Sequence, residues 1–414
     1  MNRLAPARRH LLATGATALA AMAWRVARAD RTGSGAGVAR AAQDGARREP
    51  SSGGRLIRVG PGRDVATISA AAEIAGDGDV VEIDAGEYRG DVAVWKQRRL
   101  SIHARGGPVQ ILADGRHAEG KGIWVIRDGD FEVSGIRFAG ARGPHRNGSG
   151  IRFERGRLRL SDCQFTDNEN GLLTGNDPDA ELSVERCRFT ENGAGDGYSH
   201  NLYVGSIGRC EVRASHFSRA RGGQLLKCRA KRARVLYSRL TDELGGLASY
   251  ELDFSNGGQV LVMGNLIVQQ PSTKNGAIVT YGPEGYKWPL NQLFLVHNTI
   301  VNRRRAGGTF LRVYPGSVEA VVMNNLFAGR GALEGVTDDR RSGNAFVSDG
   351  EFRNPIEHDF RLGKRAWSRG TAVPPPQFGD ASCVPTEQYR HPMDTEPIPP
   401  GTPLSPGAFQ FAPP

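Results

Sequence analysis

The chain is short of cysteine, of lysine and of long apolar runs, and each shortage excludes something. Five cysteines in 414 residues are too few for a disulfide scaffold of this size, and no Cys/His spacing matches a zinc site. No apolar run approaches the ~18 residues that span a bilayer as a mature helix. Lysine supplies only seven of the 54 basic residues. With no basic helix, zinc finger or interleaved basic and aromatic stripe, the pattern argues against nucleic acid as a partner. What is abundant is glycine, at 55 residues, alongside a hydrophobic fraction of 39 % that permits a sizeable core.

The formal charge of +10 falls to +5 when the first 29 residues are set aside, because they carry five arginines and no acid. That segment has a charged start, an apolar stretch at 11–24, and Ala27-Arg28-Ala29 ahead of Asp30. Small residues at the last and third-last positions suit a signal peptidase. Arg8-Arg9 before His10-Leu11-Leu12 resembles a twin-arginine export signal, with an ordinary secretory signal as the alternative. Either predicts a periplasmic or secreted protein. Residues 30–55 are rich in Gly, Ser, Ala and Arg without apolar periodicity and read as a flexible leader.

The body is a repeat whose unit varies in length. Ile136, Cys163, Cys187, Ser215, Ser238, Asn265, Asn298 and Asn325 lie 27, 24, 28, 23, 27, 33 and 27 residues apart. Three residues before each stands a branched aliphatic, from Val133 to Val322. Two residues after each stands Phe138, Phe165, Phe189, Phe217, Leu240, Ile267, Ile300 or Phe327. Alternation followed by a change of phase is a short strand, a tight bend and a second inward residue. A unit of this length with two or three short strands is a solenoid coil. The competing leucine-rich solenoid needs a leucine consensus that is absent here. Asn265, Asn298 and Asn325 should stack at the bend and hydrogen-bond from coil to coil. Cys163 and Cys187 share that position, so stacked free thiols are expected, with a disulfide as the alternative.

A further strand precedes each bend, with inward pairs read as Ile123/Val125, Ile151/Phe153, Leu172/Thr174, Leu202/Val204, Leu226/Cys228, Leu252/Phe254, Ile278/Thr280 and Leu311/Val313. The unusual interval before Asn298 marks an insertion at 282–289. Ahead of the repeat, Ile68, Ala71, Ala72 and Ala75 describe a short amphipathic helix.

This repeat, together with Ile68-Ser69-Ala70-Ala71-Ala72, Gly78-Asp79-Val80-Val81-Glu82-Ile83 and Gly86-Glu87-Tyr88, resembles the pectin-lyase-like superfamily. The resemblance implies an all-β, right-handed parallel β-helix over 56–330, with the helix capping its open end. A Pro-rich segment at 331–414 should close the other end or wrap along the side. It would there cover the apolar outward stripe Leu236, Leu261, Met263, Phe294, Val296, Val321 and Met323. The superfamily includes polysaccharide lyases, glycoside hydrolases, methylesterases, C-5 epimerases and adhesins, so the fold leaves the activity open.

In this register, outward side chains stack in columns about 4.8 Å apart. Asn201, Tyr203, Lys227, Arg229, Glu251, Asp253 and Tyr281 share one patch, with His200, Tyr250 and Glu284 at its edge. Cleavage of a uronate chain by elimination needs a base for the C-5 proton, a cation to hold the carboxylate and an acid for the leaving oxygen. Lys227, Arg229, His200 and Tyr281 are the candidate catalytic groups; Asn201, Tyr203, Tyr250 and Glu284 the candidate substrate-binding groups. Some lyases of the superfamily place a Lys/Arg pair beside Ca²⁺, which implies Glu251 and Asp253 as candidate metal ligands. The expectation is a monomeric lyase acting on an acidic polysaccharide. A hydrolase using Glu251 and Asp253, a C-5 epimerase and a non-catalytic carbohydrate-binding solenoid are the alternatives.

Overall fold

The computed structural model describes residues 53–410. The export signal read at 1–29 and nearly all of the leader read at 30–55 lie outside the described residues.

Each coil contributes three short strands, as in Glu181–Glu185, Arg188–Thr190 and Leu202–Val204. The first two join a 21-stranded sheet and the third a 10-stranded sheet, and successive coils pair in parallel. Between the first two strands sits one left-handed residue: Asp162, Arg186, Ala214, Tyr237, His297 and Asn324 have φ of 46–56°, and Gly135, Gly264 and Gly343 take the same place. This residue changes the phase, so that the inward direction resumes two positions after the bend. Holding a non-glycine residue there costs about 1–2 kcal/mol, and the following residue offsets it by pairing between coils. The amides of Ser238, Asn265 and Asn298 donate to the side-chain oxygens of Asn265, Asn298 and Asn325 at 2.9–3.0 Å. The ladder runs one coil further than the sequence suggested, to Asn344. A second ladder, Asn168 to Asn192 to Asn201, lies at another corner and was not foreseen.

Inside, Phe138, Phe165, Phe189 and Phe217 form a near-parallel stack with centroids 4.6–5.2 Å apart. All five cysteines are buried and free. The helix Ile68–Ile74 buries Ile68, Ala71 and Ala72; the Thr67 hydroxyl accepts from the Ala70 amide. The Asp91 carboxylate accepts from the amides of Ile68 and Ser69.

Two of the eight inward pairs are displaced by one residue. Trp124 pairs with Ile151 and Ile126 with Phe153; Val279 pairs with Leu252 and Tyr281 with Phe254. The inward pairs are therefore Trp124/Ile126 and Val279/Tyr281. A one-residue slip sends every side chain of a strand to the other face, and both segments are apolar at consecutive positions, so alternation alone could not fix their phase.

The coils continue past residue 330 to Ala345–Val347, which pairs with Leu326–Ala328. Beyond them, Phe352, Phe360 and Leu362 pack on Leu266, Val268, Val301 and Leu326. Phe378, Ala381 and Cys383 cover the stripe formed by Leu261, Met263, Phe294, Val296 and Val321. Neither cluster draws on the ten-stranded sheet, and the polar side chains of interest stand on the outer face of that sheet.

Candidate functional site

Register places Tyr203, Lys227, Asp253, Thr280 and Arg312 in one outward column of the ten-stranded sheet. Arg229 follows Lys227 by two residues and so emerges on the same side. Gly175 and Gly205 occupy earlier coils of the Arg229 column; a Cβ at Gly205 would lie 2.1 Å from the Gly175 carbonyl oxygen. The floor beside Arg229 is consequently bare backbone.

The insertion folds back over this face. The Tyr286 ring lies where side chains at Gly257, Gly282 and Gly316 would otherwise reach, and its hydroxyl donates to the Tyr314 carbonyl at 2.6 Å. Trp288 Nε1 donates to the Arg229 carbonyl at 3.0 Å. Anchored in this way, the loop delivers Glu284 to the two cations. Lys227 Nζ lies 2.8 Å from Glu284 Oε1, and Arg229 grips both carboxylate oxygens through Nε and Nη2 at 2.7–3.0 Å. Burial opposes ionisation of Glu284, but hydrogen bonds from Lys227 and Arg229 hold its carboxyl below the usual range.

Tyr203 completes the cradle. Its hydroxyl oxygen accepts from Arg229 Nη1, and Arg229 and Lys227 lie 5.0 and 5.9 Å from its ring centroid. His200 packs edge-on against that ring at 4.9 Å. Burial, then the Lys227 and Arg229 charges, push the His200 imidazole well below its ordinary range. Its Nδ1 accepts from the Gln224 amide at 3.0 Å, so the proton of the neutral ring sits on Nε2. His200 therefore orients Tyr203 and has no free nitrogen lone pair for a base.

Besides His200, which was expected to be catalytic, four expectations need correction. Tyr281 points inward, fully buried, and donates to the Gly258 carbonyl at 2.5 Å; burial pushes its phenol up, and the outward residue of this strand is Thr280, beside Asp253. Asn201 is buried in the interior amide ladder, accepting from Asn192 and donating to the Ser218 carbonyl. Glu251 is fully buried, hydrogen-bonded by Gln269, and burial drives its carboxyl well above the usual range. Asp253 stands in the predicted column, 3.7 Å from Lys227, but is buried and accepts from Ser255, Thr280 and Gln224. Tyr250 is half-buried, with its phenol pushed up by that burial.

These facts bear on calcium. A Ca²⁺ site needs six to eight oxygen ligands. Glu251 is enclosed, Asp253 is committed to three donors, and among the described residues no three His, Cys, Asp or Glu side chains are grouped to share an ion. Glu251 and Asp253 do not fit a calcium ion. Nor do they form an open acid/base pair suited to hydrolysis.

Residues that sequence reasoning missed are Gln224, Ser255 and Thr280, which fix Asp253. Register alone could have found Thr280, had Tyr281 been read as inward.

The crystal structure of pectate lyase Pel9A is similar to this structure, with a TM-score of 0.57, covering 86 % of this chain and 96 % of that chain at 10 % sequence identity. No protein-family model matches the sequence, and no curated protein matches it. The fold is the right-handed parallel β-helix of pectin-lyase-like proteins; at that identity the likeness is one of fold.

Proposed function

We propose that this protein is an exported lyase that cleaves a uronate-containing polysaccharide by β-elimination at the Tyr203–Lys227–Arg229 cradle. The observation that carries the reading is that the cradle already holds a carboxylate, that of Glu284, by four contacts of 2.7–3.0 Å. An incoming uronate carboxylate takes Glu284's place on the Arg229 fork, a planar donor set matched to it. Lys227 supplies a second positive charge as electron density moves onto that carboxylate. The Tyr203 phenol oxygen takes the C-5 proton as its own proton leaves for the departing O-4. The released pair forms the C-4/C-5 double bond, and the C-4–O-4 bond breaks. His200 and Gln224 hold the ring and the strand in place. The likeness to a pectate lyase agrees with this reading at the level of the fold.

The test uses the chain beginning at Asp30 against a panel of uronate polymers, with and without Ca²⁺. Ultraviolet absorbance of an unsaturated uronate is followed alongside reducing ends. Both signals together, lost in Tyr203→Phe with binding retained, are expected. Reducing ends without absorbance overturn the lyase in favour of hydrolysis.

A further inference from the structure

The same coils carry a second basic feature, at the edge of the ten-stranded sheet where its strands begin. A cavity of about 400 Å³ is lined by Arg142, Arg146, Glu169, Arg221 and the turn 193–195. Its walls are the loops leading into Ser149–Phe153, Asn170–Thr174, Leu202–Val204 and Leu226–Cys228. The last two of these strands carry Tyr203 and Lys227. Arg221 stands six residues before Lys227, a chain reach of at most about 20 Å. Ser199, next to His200, donates to the Arg146 carbonyl, so one loop serves both the cavity and the cradle.

The cavity's carboxylates are already engaged, while most of its guanidinium donors are not. The Glu169 carboxylate accepts from the Gly143 and Gly148 amides at 2.7–2.8 Å. Asp167 is shared between Arg142 at 2.9 Å and Arg221 at 2.6 Å. Burial opposes its ionisation, but hydrogen bonds from Arg221 and Arg142 hold its carboxyl below the usual range. Arg221 spends one N–H on that contact of the five a guanidinium offers. Arg146 has no ion pair among the described residues and sits at a left-handed position, φ 56°. The volume falls in the range of small-molecule sites, and is larger than a lone carboxylate requires.

We infer that this cavity is a second subsite, taking an acidic saccharide unit of the same chain whose uronate occupies the cradle, with Arg146 and Arg221 gripping its anionic substituent. The inference rests on the proposed function for the direction of the chain. The substituent is a carboxylate or a sulfate ester, and the test separates the two.

Calorimetric binding to the inactive Tyr203→Phe protein is measured with an oligogalacturonate and with a sulfated uronate oligosaccharide of equal length. Each is repeated with Arg146→Gln, Arg221→Gln and Arg229→Ala added, and thermal unfolding checks that each variant is folded. Arg146 is exposed and its side chain makes no ion pair or hydrogen bond among the described residues, so Arg146→Gln guards against a misfolded Arg221 variant. The expected result is a tenfold or greater loss of affinity in Arg146→Gln and Arg221→Gln. Loss with both oligosaccharides assigns a carboxylate; loss confined to the sulfated one assigns a sulfate ester. Unchanged affinity in both variants, with loss in Arg229→Ala, overturns the subsite and leaves the proposed function standing. Indifference to all three substitutions, or no binding of either oligosaccharide, overturns both.

Discussion

Two arrangements of charge on the outside of this solenoid look alike in sequence and differ in structure. On the 21-stranded sheet, arginines and carboxylates at paired positions of neighbouring coils form ladders. Arg58 faces Glu82, Glu132 faces Arg159, Arg157 faces Glu181 and Glu185 faces Arg213, each pair within 2.8–3.5 Å. The Arg157–Glu181 pair is about half exposed. On the ten-stranded sheet the register partner of Lys227 is Asp253, at 3.7 Å. The close partner is instead Glu284, brought from a loop more than fifty residues away. Lys227 and Arg229 keep only 12 % and 18 % of their side-chain surface. A ladder is the sheet satisfying itself. A cradle closed by a carboxylate from an inserted loop departs from that pattern.

Arg229→Ala should have the largest effect. Removing the donor fork from a half-buried site that stabilises developing charge should cost a hundred- to thousand-fold in turnover, about 3–4 kcal/mol. Initial rates of unsaturated-uronate formation measure it. A loss below fivefold would make the cradle one more ladder.

A third arrangement buries its carboxyls in the interior. Asp242 and Glu251 are both fully buried, and one oxygen of each lacks a partner. Burial pushes the Asp242 carboxyl up to about 7. In the folded state it keeps a proton that the unfolded chain releases near pH 4, so stability falls as pH rises from about 4 to 7. Between pH 5 and 7 the loss should be roughly 2–3 kcal/mol. Asp242→Asn should flatten that slope, since its carbonyl can still accept from the Ala248 amide. Urea midpoints at pH 5 and pH 7 check it, and an unchanged slope would refute the assignment.

These three sites show how far the sequence reaches. The bend was legible because one position recurs as Asn265, Asn298 and Asn325 with an apolar residue two places on, which only a repeated backbone shape explains. Lys227, Arg229 and Glu284 could be placed together because the strand Leu226–Cys228 alternates cleanly and the insertion interrupts an otherwise steady interval. Tyr281 was misplaced because Ala277–Tyr281 is buried at every position, so both of its phases look like a core. Asn201 and Glu251 were misread for a different reason. Their parity reads as outward, but each stands one residue before its strand, at a corner where the side chain turns into the interior amide contacts, and strand periodicity carries no record of that turn.

Glu284→Gln tests the carboxylate that closes the cradle. If Glu284 occupies the place of a substrate carboxylate, neutralising it should leave the cations in place and remove the competitor. Affinity for an oligouronate should rise about tenfold, near 1.4 kcal/mol, while the maximal rate is little changed. The gain should shrink at acid pH, where the wild-type carboxyl protonates below its already lowered range. A fall in affinity would mean that Glu284 binds the saccharide instead.

The smallest effect belongs to the ladder. Arg157→Ala removes a 2.9 Å pair with Glu181 that water reaches from both sides, and exposed pairs of this kind contribute about 0–1 kcal/mol. Its neighbour Arg159 keeps contacts to Asp130 and Glu132 at 2.7 and 3.0 Å, so the column does not open. Stability should drop by less than about 1 kcal/mol, less still at high salt because exposed charges are screened, and turnover should not move. Were Arg157→Ala to lower turnover as Arg229→Ala does, exposure and the source of the partner carboxylate would no longer separate a ladder from a site, and the case for the cradle would have to rest on chemistry alone.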